Sequence, residues 1–391
     1  MMSAQSEAGT EFPAGNTNSR RRVLFLADHL GLPDGGVHGV TTYLLDVLPA
    51  LKQIGTDAAA CFLREAHPAA ESLRAHDIQV WFLDSRRFDL FVSRQVDELV
   101  RRGGYDILHC TQFRASIIGR GVARMRNGLA VVLHVHDLTM PPLPVRLMNR
   151  ALARPVDLGI CVSEAAREIA VRGYYVSPGR VRVLYTGIDT RVFRPLADTE
   201  RAEVRAELGI SAAAPVLCLV GRFHPVKGHR EMIRMLKSIA SRRPDCVLLL
   251  VGDGPERPAC ENLAKELRLS DNVRFLGHRD DVTRVLAAGD VAVVPSRSEG
   301  LSRFAIEANL CGLPVVAFAS GGVAEALAGR ACGELVPPGD PEAFVDAVDR
   351  VLGAPRSASA FDARVRAASE RFELTAHVHA LRACYDTLGA P

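Results

Sequence analysis

Two glutamates, Glu299 and Glu307, stand eight positions apart around the point where a strand hands over to a helix. The apolar run before them (290–295, DVAVVP) reads as a buried strand, and the residues after Ser302 open an amphipathic helix that ends near Cys311-Gly312. Two carboxylates in one cleft can carry general acid–base chemistry; the alternative is a pair of surface carboxylates on an ordinary helix. Between them, Gly300, Leu301 and Ser302 expose a helix N-terminus, whose free N–H groups favour anions. A second cluster is cationic. Arg222 follows an apolar run (215–221) and Lys227 opens the next helix. Two cations at such a turn form a cradle for a diphosphate, with Arg the better bidentate partner, unless both are merely solvated. Arg279 follows a third run (273–277), where it is either a ligand contact or a surface residue; Asp280 and Asp281 after it suit a helix dipole without any further role.

The first half holds a different set. His134, His136 and Asp137 end the run AVVLHV (130–135) and the residues after it. Imidazoles and a carboxylate raise a metal reading, but alternate residues of a strand share a face, so Asp137 points away from the two histidines. No metal site is expected. His109 reads as a structural hydrogen-bonding residue. The glycine-rich stretch 34–43 (DGGVHGVTTY) precedes a helix and lets backbone approach a phosphate or sugar closely. Arg114, Arg120, Arg124 and Arg126 dot one segment, either as a basic face for anionic lipid or as a solvated helix face.

Something must hold these groups in place. From residue 20 onward, apolar runs alternate with helical patterns: 22–27, 58–63, 78–83, 106–110, 130–135, 158–163 and 182–186, then 215–221, 246–252, 273–277, 291–295, 314–318 and 334–337. The runs are near-continuously apolar, as strands covered on both faces must be. The alternation implies parallel sheets with crossover helices, and strand exits in such sheets are where ligands bind. The chain divides as a polar, disordered tail (1–19), a first domain (20–192), a second domain (193–371) and a terminal amphipathic helix (372–391).

The pattern G-R-x-x-x-x-K-G at 221–228, the turn Gly252-Asp253-Gly254-Pro255, Gly277-His278-Arg279, the E-x7-E pair and the later Val336-Pro337-Pro338-Gly339-Asp340 together resemble retaining glycosyltransferases of family 4, also called glycosyl transferases group 1. The resemblance runs over roughly residues 22–388 and is densest in 215–340. It implies a GT-B fold, α/β, with two facing Rossmann-like doubly wound parallel-sheet domains and a last helix crossing back to the first. It implies a nucleotide-sugar donor, UDP-linked by family frequency, and transfer of a hexosyl or N-acetylhexosaminyl group to an acceptor hydroxyl with retention of configuration. In the family's terms Arg222 and Lys227 hold the diphosphate, Arg279 lies by the base, Glu307 takes the ribose hydroxyls, Glu299 and the backbone of Gly300, Leu301 and Ser302 lie by the donor sugar, and His136 sits near the reacting carbon. Counted in register with Gly55, the family's loop glycine falls on Gly39, with His38 in place of the glycine before it; Gly36 is the second choice. Two positions depart from the pattern: Arg303 replaces a small or polar residue, and Thr186 replaces an Asn. No D-x-D pair is present, so no metal-bridged diphosphate and no cofactor is expected beyond the sugar nucleotide. The implied acceptor is a saccharide, a lipid-linked saccharide or a small metabolite, in polysaccharide, glycolipid or glycosylated-metabolite biosynthesis. The rival reading is a sugar-nucleotide epimerase of the same architecture.

The bulk numbers fit an ordinary globular enzyme. The 391 residues exceed one core, and a net charge of +3 argues against a nucleic-acid partner. Nine cysteines without a C-x-x-C pair imply buried thiols in a reducing compartment. No run is long enough to span a bilayer, so the expected location is cytoplasmic, with peripheral contact to the inner face of a membrane through the first domain.

Overall fold

The computed structural model describes residues 21–31, 38–85, 91–151, 156–327, 329–355 and 357–388; Gly36 lies outside them. Among the described residues thirteen strands form, one in each apolar run named above. The first sheet takes β1 (Arg22–Ala27), β2 (Asp57–Phe62), β3 (Val80–Phe82), β4 (Ile107–Thr111), β5 (Ala130–Val135), β6 (Leu158–Cys161) and β7 (Val181–Val183), in the order β3-β2-β1-β4-β5-β6-β7. The second takes β8 (Val216–Val220), β9 (Val247–Val251), β10 (Val273–Gly277), β11 (Val291–Val294), β12 (Val315–Phe318) and β13 (Gly333–Val336), in the order β10-β9-β8-β11-β12-β13. Every pairing is parallel. Both sheets are doubly wound, as the resemblance implies, with the strand order reversing between β1 and β4 and between β8 and β11. A reversal opens a crevice at the strand exits, because neighbouring crossover helices leave on opposite faces.

Burial on both faces explains the continuous apolar runs. One face of the first sheet packs Phe25 and Phe62 against Tyr43 and Leu48 of the helix Gly39–Gln53 and against Leu381 and Tyr385 of the last helix, Leu374–Asp386. The opposite face packs Leu26 and Leu108 on Val96 and Val122. The outer core of the second sheet gathers Leu248, Met232, Leu236 and Phe344. A final cluster runs without a break from Val135 and Cys161 of the first sheet to Val216, Leu249 and Ala305 of the second, so the two halves share apolar contact. The chain crosses between halves twice at one place: Ile188 N–H donates to the Phe372 carbonyl at 2.7 Å, and Leu374 N–H donates to the Ile188 carbonyl at 3.0 Å. Among the described residues no disulfide forms, and eight of the nine cysteines are buried. Among the described residues no helix is long and apolar enough to cross a membrane.

Neither reading of the arginines on 114–126, a basic face for lipid or a solvated helix face, holds for the whole set. Arg120 is only 3% exposed and donates to the carbonyls of Asn149, at 2.9 Å, and of Tyr174. Arg126 pairs with Asp97, and Arg114 donates to the Ser85 hydroxyl at 3.0 Å. Helical spacing does not reveal which turn faces a neighbouring helix, and here that turn carries Arg120.

Leu381 is fully buried between the last helix and the first sheet. Leu381→Ala should lower stability by about 2–5 kcal/mol, read as a lower urea midpoint; an unshifted midpoint would mean that the last helix carries none of this core.

Candidate active site

The exits of β8 and β11 lie side by side in the second sheet, and their side chains meet. Gly228 has φ +74°, and a Cβ built on it would lie 2.3 Å from the Pro295 carbonyl oxygen. Only glycine lets the turn Pro225–Lys227 close onto β11 this tightly. The closure brings the Lys227 ammonium to both oxygens of Glu299, at 2.8 and 2.9 Å. Glu299 is 8% exposed, so its carboxylate needs the lysine, whereas the Lys227 side chain keeps 33% exposure to water. Ser302 caps the helix Arg303–Leu310: its hydroxyl accepts from Ala305 N–H, and its extended backbone leaves the first N–H groups of the helix pointing back toward Gly300 and Glu299.

Glu307, also 8% exposed, is the centre of a second charge group. Arg303 Nε donates to Glu307 Oε1 at 3.0 Å, and Arg303 Nη2 donates to Asp46 Oδ2 at 2.7 Å. Asp46 belongs to the helix Gly39–Gln53 of the first domain, so this arginine spans the cleft. Burial holds the carboxyls of Glu307 and Asp46 above their usual range, and the guanidinium between them offsets only part of that rise. Sequence reasoning marked Arg303 as unusual but gave it no partner; Asp46 was missed altogether, since its partner lies 257 residues away.

The first domain closes over this region at a seam of glycines. A Cβ on Gly300 would sit 2.1 Å from the His136 carbonyl oxygen, and one on Gly322 would sit 2.0 Å from the Gly300 carbonyl oxygen. Beside the seam, Glu325 of the second domain accepts from Glu164 N–H at 2.7 Å, Ala165 N–H at 3.3 Å and the Tyr185 hydroxyl at 3.2 Å, capping the first-domain helix Glu164–Tyr174. His136 is half-buried with its ring 4.7 Å from Tyr43 and 3.9 Å from His134. Asp137 turns instead to Thr139 N–H, at 2.7 Å. His109 Nδ1 meets the Tyr385 hydroxyl at 2.7 Å and its Nε2 meets His134 Nδ1 at 3.1 Å. His377 Nδ1 donates to the Tyr185 carbonyl, so its Nε2 accepts from the Tyr43 hydroxyl at 3.2 Å. These histidines form one neutral, aromatic packing unit under the cleft floor.

His38 caps the helix Gly39–Gln53, accepting from Thr41 N–H at 3.1 Å through Nδ1, with Nε2 3.1 Å from His29. Burial chiefly, then His29, then the charge of Arg222 depress its pKa to about 4. The charge of Arg222, just after β8, is thus felt at His38 of the first domain. A Cβ on Gly39 would meet nothing within 4 Å, so packing does not demand glycine there. Arg279 is apart from the rest. It lies beyond β10, two strands from β8, in an ion pair with Asp281. The structure thus brings Arg222, Lys227, His136, Glu299, Gly300, Leu301, Ser302, Glu307 and Gly39 to one interdomain cleft and leaves Arg279 at its far edge.

Burial holds His38, His229 and His377 near a pKa of about 4 and His136 near about 3, with His109 and His134 also well below 6.5. Above about pH 6.5 the folded and unfolded chains both hold these rings neutral. Below it only the unfolded chain takes up protons, so stability is lost as the pH falls, by up to about 1.4 kcal/mol per pH unit for each ring. The urea midpoint should accordingly drop steeply between about pH 7.5 and pH 5.5; a flat profile would mean that the folded state accepts these protons.

Two family models cover most of the chain: "Glycosyltransferase Family 4" matches residues 37–192 and "Glycosyl transferases group 1" matches residues 200–368. The D-inositol 3-phosphate glycosyltransferase of Saccharomonospora viridis is 32% identical over 299 residues, 69% of this chain and 67% of that one. The D-inositol 3-phosphate glycosyltransferase 2 of Catenulispora acidiphila is 33% identical over 290 residues, 66% of this chain and 65% of that one. The chain thus spans about two thirds of the length of these relatives. Among solved structures, Anabaena Alr3699/HepE in complex with UDP superposes with a TM-score of 0.80 at 24% identity, over 94% of this chain and 100% of that one. The sucrose-phosphate synthase of Thermosynechococcus elongatus superposes with a TM-score of 0.77 at 24% identity, over 94% and 99%. The structural likenesses speak to the fold, and the sequence likenesses speak to descent. With the cleft geometry, they establish that the chain belongs to the family 4, group 1 glycosyltransferases and is an enzyme of GT-B fold.

Proposed function

We propose that the enzyme moves a hexosyl group from a UDP-linked sugar to an acceptor hydroxyl with retention of configuration. The observation that carries this reading is the bidentate Lys227–Glu299 pair at the β8/β11 reversal, its carboxylate buried and its ammonium partly open to solvent. A departing nucleoside diphosphate develops negative charge on its bridging oxygen. Cations and helix N–H groups already fixed around that position stabilise the charge without reorganising, which is usually the largest catalytic contribution. Glu299 holds the Lys227 ammonium in one position at rest. In this reading Lys227 and Arg222 face the diphosphate, and Glu299 is left to accept from hydroxyls of the donor sugar.

Other residues take supporting roles. Glu307 has one oxygen on Arg303 and offers the other to the ribose. The N–H groups around Gly300, Leu301 and Ser302 serve the sugar and phosphates, and Arg279 serves the base from the edge of the cleft. The open space at Gly39 suits a donor lying against the N-terminus of its helix. His136, neutral because of its burial, brings a carbonyl and an uncharged ring to the side of the cleft where the sugar's reacting carbon would lie. A neutral group there adds no repulsion to the positive charge that develops on the sugar ring. The relatives carry the name D-inositol 3-phosphate glycosyltransferase, which makes a phosphorylated polyol the first acceptor to assay.

Two experiments test this reading. Lys227→Ala and Arg222→Ala should each reduce turnover of UDP-sugar roughly 100- to 1,000-fold while circular dichroism stays that of the parent; undiminished turnover in both would remove the diphosphate assignment. Gly300→Ala should separate binding from chemistry. Its methyl group collides with the His136 carbonyl, so calorimetry should return UDP affinity within about threefold of the parent while transfer falls at least roughly tenfold, since closure of the cleft excludes water and completes the site. Unchanged transfer would show that the glycine seam need not close.

A further inference from the structure

The helix Leu143–Ala151 is inside out. Its one buried side chain is polar, Asn149 at 1% exposure, whereas Leu143 is 63% exposed, Leu147 55% and Met148 49%, with Met140 just before the helix at 39%. At 100° per residue, Leu143, Leu147 and Ala151 form one stripe and Pro144 and Met148 lie next to it, all turned to solvent. Arg146 and Arg150, one turn apart, flank that stripe. These four apolar side chains are four of the ten large ones exposed among the described residues, so the exposure is concentrated, not scattered.

The segment is firmly seated with this face outward. Arg120 donates to the Asn149 carbonyl at 2.9 Å and also holds the Tyr174 carbonyl. Pro141 packs on Gly173, where an added Cβ would lie 2.6 Å from its ring. Rotating the helix to bury its leucines would break both attachments.

The charge around the stripe has one sign. Between Asp137 and Asp157 the sequence contains Arg146, Arg150 and Arg154 and no acidic residue. Among the described residues no carboxylate pairs with Arg146 or Arg150, whereas the neighbouring helix Glu164–Tyr174 pairs its arginines with its own glutamates, Arg167 with Glu164 and Arg172 with Glu168. A leucine and methionine stripe edged by arginines matches the interface of an anionic bilayer, with apolar groups entering the headgroup boundary and guanidinium groups staying on the phosphates. A second copy of the chain is the poorer partner, because a two-fold contact on this face would bring the arginines of both copies together.

We propose that the helix Leu143–Ala151, with Met140, docks the enzyme on an anionic lipid surface. The segment begins four residues beyond His136, and Leu138 between them contacts the second domain at Gly321. Docking here sets the edge of the catalytic cleft against the membrane.

The test is sedimentation of the full-length protein with vesicles of phosphatidylcholine, with and without phosphatidylglycerol. The parent should pellet with the anionic vesicles only, and less as ionic strength rises. Leu143→Glu/Leu147→Glu and, separately, Arg146→Gln/Arg150→Gln should each weaken partitioning roughly tenfold or more, with UDP affinity unchanged as proof of folding. Failure of the parent to pellet, or pelleting that survives both double variants, overturns the proposal. So does a dimer in light scattering that Leu147→Glu dissociates, since the stripe would then belong to a second copy.

Discussion

A charge removed from water must find a partner, and that constraint shapes the interdomain cleft. Lys227 and Glu299 hold each other in bidentate contact, and Arg303 sits between Glu307 and Asp46. Removing Lys227 or Arg303 would strand a buried carboxylate, Glu299 or Glu307, which is strongly unfavourable. Neither group is needed to fold the sheets, which are held by their own apolar layers. The ion pairs instead fix positions: an ammonium at the β8 exit, a carboxylate at the β11 exit and a guanidinium reaching over to the first domain.

That last contact changes how the two domains relate. The Arg303–Asp46 bridge, the cap that Glu325 puts on the helix Glu164–Tyr174, and the close passage of Gly300 under His136 all cross the same seam. Each is polar or steric, whereas the apolar cluster beneath them is continuous from one sheet to the other. The cleft is therefore hinged on an oily floor and aligned by a few directional contacts above it. Directional contacts of this sort discriminate between arrangements that apolar contact alone would treat as equivalent.

The histidines under the floor follow the same logic in the opposite sense. Having no carboxylate partners, His109, His134, His136 and His377 stay neutral: His109 and His377 bond to tyrosine hydroxyls, a carbonyl and His134, whereas His134 Nε2 is buried without a partner and His136 makes ring contacts. His134 and His136 do share a strand face, as alternation requires, but stack ring on ring and do not converge with Asp137 on a point.

The sequence by itself determined the elements and their order. A parallel strand covered on both faces needs an uninterrupted apolar run, and each of the thirteen runs became a strand. Local spacing likewise set Lys227 at the mouth of one helix and Glu299 ahead of another, so both members of this ion pair were legible as site candidates before any fold was known. The tertiary structure alone decided which charges meet. Asp46 and Arg303 are 257 positions apart, and no periodicity relates them; they pair because the helix Gly39–Gln53 of the first domain faces the start of the helix Arg303–Leu310. Likewise, helical spacing could mark Arg120 and Leu147 as lying on helices. Only the packing of neighbours buried the arginine and left the leucine in solvent, since the face a helix hides is chosen by what lies beside it.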